Sequence, residues 1–352
     1  MKAKKVNQSM ELCKFIASIF VVFIHFVFPG KFGETVNCIA RFAVPVFFAI
    51  SGYFSYRTDS LRLGKRISHI FKLNVIATFI YFLWAVYYCT SVVDKSVWQM
   101  LTEKFSSSAV AKWLIMGINP FSGHLWYLSA IFLCYVLLWV YVRFFEDKAD
   151  YRPFYAACFG FYMFFLMFSA FTVNEKIQYH YTVYRNGLFF GMPMFGLGMF
   201  LREYEDRIVK TLKLSAGKEI LCIAFGIITG LIQNKAFGKS EMPAGMIITV
   251  IALILLMSQH PRIPFMEKRD SFFIFIGKIS LTVYIIHMVF GNYFKTQTAF
   301  YEAYSKHAVY PLLIAGLSVG CGVILSSISL VYKNIRGRNG SKSKEIKQLI
   351  SK

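Results

Sequence analysis

The chain has 352 residues, 57% hydrophobic and 16% charged, with a mean hydropathy of +0.52. A soluble domain carries about 25% charged and about 45–50% apolar residues, so the composition excludes disorder and collagen-like repeats and argues against a soluble globular fold. The formal charge of +21 does not point to nucleic acid, because the Lys and Arg residues cluster between apolar runs and no basic-aromatic motif lies outside them.

Apolar runs long enough to cross a hydrocarbon layer of about 30 Å predict ten spans, at 12–28, 39–55, 70–90, 124–144, 154–171, 187–201, 217–233, 243–258, 272–291 and 309–331. The fold class is therefore an all-α, polytopic integral membrane protein. Lys2, Lys4 and Lys5 precede the first span in the manner of a signal peptide. That span lacks a small-x-small cleavage site and carries His25, which predicts a retained helix. Apart from Lys14, Arg41 and Lys278, which lie within spans, 26 Lys and Arg fall on the N-terminal side and 10 on the other. The bias places both termini in the cytosol. Residues 1–332 form the transmembrane domain, and 333–352 a basic cytosolic tail expected to lie on anionic lipid. The seven cysteines form no CxxC and read as small core residues rather than disulfides or a metal site, so no metal is expected.

Ionisable side chains inside spans are costly and by default mark function. On the first span, Lys14 and His25 are eleven residues apart, about three turns, so they share a face and are separated by about 16 Å along the axis. Glu11 is one turn before Lys14 and is its expected ion-pair partner. Arg41 opens the second span, with Pro45 expected to kink it and Gly52 on the arginine's face permitting close helix approach. The segment 91–123, with Trp98, Trp113 and Ser106-Ser107-Ser108, is the longest outer connection and a candidate re-entrant or interfacial helix. His124-Leu125-Trp126-Tyr127 opens span four, where interfacial anchoring is the plain alternative to chemistry. Arg185 and Asn186 open span six. In span nine, Ser280, Tyr284 and His287 form one polar stripe, which a helix–helix hydrogen-bond network would also explain. By depth, His25, His124, His287, Arg185 and Asn186 belong to the outer half, and Lys14, Arg62, Lys65, Arg66 and His69 to the inner boundary. None of the 18 carboxylates falls in mid-span, which suits an anionic ligand.

Taken in order, these residues resemble the acyltransferase 3 family of membrane acyltransferases, which O-acetylate bacterial cell-surface glycans. Lys14, ten residues, then His25 is similar to the family's Arg-or-Lys, ten residues, His. Arg41 with Val44-Pro45-Val46-Phe47-Phe48-Ala49-Ile50-Ser51-Gly52-Tyr53 looks like its Arg-x-x-x-Pro and Ser-Gly-Tyr run. His124-Leu125-Trp126-Tyr127 and Ser280-Leu281-x-x-Tyr284-x-x-His287 resemble its later signatures. Arg185-Asn186-Gly187-Leu188-Phe189-Phe190 is also similar to the membrane part of vancomycin-resistance serine racemases, without their fused soluble domain. One departure concerns the family's Arg-x-x-Arg, associated with coenzyme A: here it reads Arg66-Ile67-Ser68-His69.

The resemblance implies a multi-pass protein of a bacterial plasma membrane. It would move an acyl group, acetyl above all, from acyl-CoA to a hydroxyl of an envelope glycan or lipid-linked sugar. In that reading Lys14, Lys65, Arg66 and His69 hold the donor's phosphates. His25 is the general base or the carrier of an acyl-histidine. Arg41 or His124 stabilises the oxyanion, Tyr284 and His287 orient His25 or bind the acceptor, and Arg185 and Asn186 contact the acceptor. With no buried carboxylate, the partner that orients His25 is expected to be a hydroxyl or a carbonyl. The alternative is a transporter or exporter of a small amino acid or glycan precursor, in which Gly226-x-x-x-Gly230 is simple helix packing. Membrane lipid and acyl-CoA are the expected partners; the sequence does not specify an oligomeric state.

Overall fold

The computed structural model describes residues 6–145, 150–173, 183, 185–238 and 240–350. Their regular structure is helical: α1 (Gln8–His25), α2 (Gly30–Ala40), α3 (Ala43–Tyr53), α4 (Ser60–Ser91), α5 (Val97–Lys104), α6 (Ser107–Met116), α7 (Trp126–Phe145), α8 (Arg152–Val173), α9 (Met192–Leu212), α10 (Ala216–Phe237), α11 (Ala244–Gln259), α12 (Asp270–Thr296), α13 (Thr298–Tyr304) and α14 (Val309–Ile350). A 3-10 turn, Gly123–Leu125, leads into α7, and a π-helical turn, Gly187–Gly191, leads into α9. Seven stretches are long and apolar enough to cross a membrane: α1, α2 with α3, α4, the turn with α7, α10, α12, and α14 as far as Tyr332. The other three expected spans fall on α8, α9 and the shorter apolar α11.

Boundaries differ from expectation where capping and proline decide them. Asn7 accepts the Met10 N–H at 2.9 Å, so α1 starts one turn early. Phe26 is extended, so α1 ends on His25 and the histidine sits at the helix terminus rather than inside a span reaching residue 28. The second span is two helices. Pro45 cannot donate to the carbonyl of Arg41, and its ring crowds that carbonyl. The ladder breaks there, with Arg41 and Phe42 closing tighter bonds to Cys38 and Ile39. The segment 91–123, expected as the longest outer connection, contains α5 and α6, each capped by a serine, Ser96 and Ser106. The tail continues α14, whose 42 residues make a rod of about 63 Å.

α1 packs on α12, α3, α2 and α14; α3 packs on α9, α4 on α7, and α10 on α11. Two of these contacts are backbone to backbone. A Cβ on Gly52 would stand 1.9 Å from the Phe195 carbonyl oxygen, and one on Gly198 the same distance from that of Ala49, so glycine lets the backbones of α3 and α9 touch. Gly226 meets Gly245 in the same way, with a Cβ on Gly245 falling 2.1 Å from the Gly226 carbonyl, which is the packing role expected of Gly226-x-x-x-Gly230. Met10, Ala17, Val21, Val46, Tyr81, Leu125 and Val250 belong to one core cluster that these contacts surround.

A histidine cluster as the candidate functional site

Three histidines remote in sequence meet at the end of α1. The ring centroids of His25 and His287 are 5.2 Å apart, those of His124 and His287 5.0 Å, and those of His25 and His124 6.2 Å. The polar stripe of α12 builds this arrangement. Ser280 donates to the Lys14 carbonyl at 2.9 Å, setting α12 against α1. Tyr284 donates to the His124 carbonyl at 2.5 Å, fixing the 3-10 turn. From α4, Tyr81 donates to the Ile285 carbonyl at 2.7 Å. Two members of the stripe thus make the interhelical network that was the plain reading of the sequence.

Hydrogen-bond roles separate the three imidazoles. His287 Nδ1 lies 3.0 Å from the Val283 carbonyl, which can only accept, so Nδ1 carries the proton and the neutral ring's lone pair is on Nε2. That Nε2 is buried and has no hydrogen-bond partner among the described residues. In His124, Nε2 faces the Tyr81 oxygen at 3.3 Å; since that hydroxyl's proton goes to Ile285, Nε2 is the donor. Nδ1 of His124 then accepts from Ser122 at 2.7 Å. Both nitrogens of His124 are committed and the residue is buried, so it positions its neighbours. His25 is accessible and makes no hydrogen bond among the described residues. The group facing it is the His287 ring, not the hydroxyl or carbonyl expected from the sequence.

The expected cations of the outer half also converge. Arg41 donates to Glu241 Oε2 at 2.9 Å and Arg185 donates to the same oxygen at 3.2 Å. Arg41 also reaches Asn37 at 3.4 Å, and the Arg185 guanidinium lies over the Trp126 ring, 5.6 Å from its centre. Asn186 accepts from the N–H groups of Leu188 and Phe189 at 2.9 and 3.0 Å, starting the π-helical turn. Arg185, Arg41 and Lys295 are cations whose charge reaches His25, and the single carboxylate of Glu241 offsets only part of the two arginines' charge. Such a field favours negative charge developing beside the imidazole.

The residues expected at the inner boundary are placed differently. Lys14 pairs with Glu11 at 2.7 Å. Arg66 donates to the Ser55 hydroxyl at 2.7 Å and to the Phe54 carbonyl at 2.9 Å. Lys65 and His69 are exposed on the same helix. Along α4, Arg66 is fifteen residues before Tyr81, about 22 Å from the level of the histidines. Nearby, Tyr53 donates to Glu205 at 2.6 Å and accepts from Arg202 at 2.9 Å. Among the described residues no group of three His, Cys, Asp or Glu side chains is disposed to hold a metal ion.

Sequence reading missed Glu241, Tyr81, Ser122 and Lys295. Glu241 had a usable signal, being a carboxylate two residues before an expected span on the side where two arginines needed a counter-ion. Tyr81 had none, since a tyrosine in an apolar run looks like core.

The fold and its histidine cluster describe a polytopic helical membrane protein with a base-bearing site at one end of its first helix. The acyltransferase domain of the acyltransferase 3 family matches residues 7–332, nearly the whole length, and the chain belongs to that family. No curated protein and no solved structure matches it.

Proposed function

We propose that this membrane acyltransferase moves an acyl group, acetyl in the first instance, from acyl-CoA to a hydroxyl of an envelope glycan or lipid-linked sugar. The observation that carries the reading is the division of labour among the histidines: one accessible and unbonded, one with a buried lone pair, and one fully bonded. The acceptor oxygen attacks the thioester carbonyl while His25 takes its proton. Arg41 stabilises the oxyanion. Collapse breaks the carbon–sulfur bond, and the leaving thiolate receives the proton from His25. His287, anchored through Val283, packs its ring beside that of His25, 5.2 Å from centre to centre, and Tyr284 holds the His124 turn against α12.

In this reading the chain crosses a bacterial plasma membrane ten times with both termini inside, and the donor's phosphates meet Lys65, Arg66, His69 and Lys14. The 16 Å between Lys14 and His25 suits a thin pantetheine arm reaching from those cations to the base. Arg185 and Asn186 contact the acceptor. The family match gives the transport alternative no support. The test is incubation of membranes containing the full chain with radiolabelled acetyl-CoA and envelope glycans. Label in a hydroxylamine-sensitive ester on glycan is expected; uptake of substrate without any ester would overturn the reading.

A further inference from the structure

The connection between α11 and α12, residues 260–269, is pinned from the start of α1. Gln8 is wholly buried there. Its backbone N–H donates to the Pro261 carbonyl at 2.8 Å, and its side-chain oxygen accepts from the Ile263 N–H at 3.1 Å. Its amide donates to the Glu267 carbonyl at 2.9 Å and to Asp270 at 3.0 Å. Ser9 donates to the His260 carbonyl, and Arg262 donates to the Glu267 carbonyl at 3.1 Å and pairs with Asp270. The loop is thus one body with the starts of α1 and α12, the helices that carry His25 and His287.

What this frame presents is an uncovered ring. Phe265 is fully exposed, and its φ of 65° lies in the left-handed region, which is strained for a bulky side chain. Internal packing explains neither property. Three observations say what meets the ring. The first is its level. α11 has 16 residues, about 24 Å of helix against a hydrocarbon layer of about 30 Å. As a crossing it draws the loop that follows to the depth of the lipid headgroups. The second is the surface beside it: Phe272 and Ile274 are exposed in the first turns of α12, so lipid-facing side chains start directly after the loop. The third is charge. Lys268 and Arg269 are exposed next to the ring with Glu267 as the exposed carboxylate, and Arg262 and Asp270 cancel, which leaves a net positive tip. A nucleotide does not match this shape. Ligand pockets are concave, and a ring standing free on a tip has no walls around it.

We infer that residues 264–269 form a lipid anchor, in which Phe265 enters the bilayer at headgroup depth and Lys268 and Arg269 hold the phosphate of an anionic phospholipid. The inference goes beyond the acyl-transfer reading and does not depend on it. The full chain carrying Phe265→Trp is reconstituted in mixed vesicles of phosphatidylcholine and phosphatidylglycerol, one of the two brominated on its acyl chains. The emission that the variant adds over the parent should be quenched by both lipids. Phosphatidylglycerol should be preferred about fivefold, since one net cation near the surface of an anionic leaflet is worth about 1 kcal/mol. Lys268→Gln with Arg269→Gln should abolish that preference and leave the quenching. Phe225→Trp, on an exposed face of α10, should be quenched by both lipids alike. Added emission that aqueous iodide quenches and neither lipid does would overturn the inference, as would quenching with no preference for phosphatidylglycerol. A response to acetyl-CoA in place of lipid would assign the ring to the donor and overturn it too. Should Phe265→Trp not fold, amide hydrogen exchange of residues 262–269 in the unaltered chain decides: slower exchange in phosphatidylglycerol than in phosphatidylcholine nanodiscs is expected, and equal exchange refutes the anchor.

Discussion

Replacing His25 with glutamine isolates chemistry from architecture. The side chain keeps a hydrogen-bonding end but cannot accept a proton in turnover. Because His25 makes no hydrogen bond among the described residues and is accessible, its removal leaves no buried group without a partner. The stability change should be about 0.5 kcal/mol, as at an ordinary surface position. A positioned general base contributes two to four orders of magnitude, or about 2.7–5.4 kcal/mol of barrier at 1.36 kcal/mol per decade. The assay is single-turnover acetyl transfer from acetyl-CoA in detergent, run beside a thermal unfolding curve on the same sample. A variant of unchanged stability with turnover lowered by at least about a hundredfold is expected. Turnover within a few-fold of the parent would refute the assignment, and loss on His287→Gln would then identify His287 as the base.

Tyr81→Phe should lower stability by about 1–3 kcal/mol, since it leaves the His124 N–H without an acceptor and the Ile285 carbonyl with its helical bond alone; thermal unfolding measures it, and an unchanged midpoint would contradict the tautomer assigned to His124. Glu241→Gln should destabilise by about 2–3 kcal/mol by removing the carboxylate that Arg41 and Arg185 share, again read by unfolding, and equal loss in an Arg41→Ala, Glu241→Gln double variant would show the pair coupled. Lys65→Ala should raise the apparent Kd for acetyl-CoA about threefold at low ionic strength and less at high salt, because an exposed charge is screened; a salt-independent effect would remove Lys65 from the donor site. Cysteines at positions 2 and 352 should react only from the inside and one at 104 only from the outside, and outside labelling of position 352 would overturn the ten-span topology.

Periodicity and spacing made most of the helices legible, because hydrophobic runs report burial in lipid directly. The convergence of Lys14, His25, Ser280 and Tyr284 was partly legible, since helix geometry puts members of each pair on one face. The roles of the three histidines were not. They depend on which nitrogen meets Val283, Ser122 or Tyr81, and contacts between residues 43 or more positions apart, such as Tyr81 with His124, leave no periodic trace. Glu241 escaped for a related reason: ion pairing across 200 positions with Arg41 is set by how α2 and α11 end, and helix ends are where sequence patterns are weakest. The 3-10 and π-helical turns that present His124 and follow Asn186 are likewise local departures from the repeat that the eye follows.

The interruption at Arg41 and Phe42 divides one membrane crossing into two mechanical pieces. Below it, α3 is clamped to α9 by glycine contacts that leave no slack. Above it, α2 packs on α1 and α10, with Asn37 donating to the Ile24 carbonyl at 3.3 Å. The guanidinium of Arg41 rides on the joint, reaching back to Asn37 on α2 and across to Glu241. A crossing built in this way sets one piece by backbone contact and the charge at its joint by side-chain pairing.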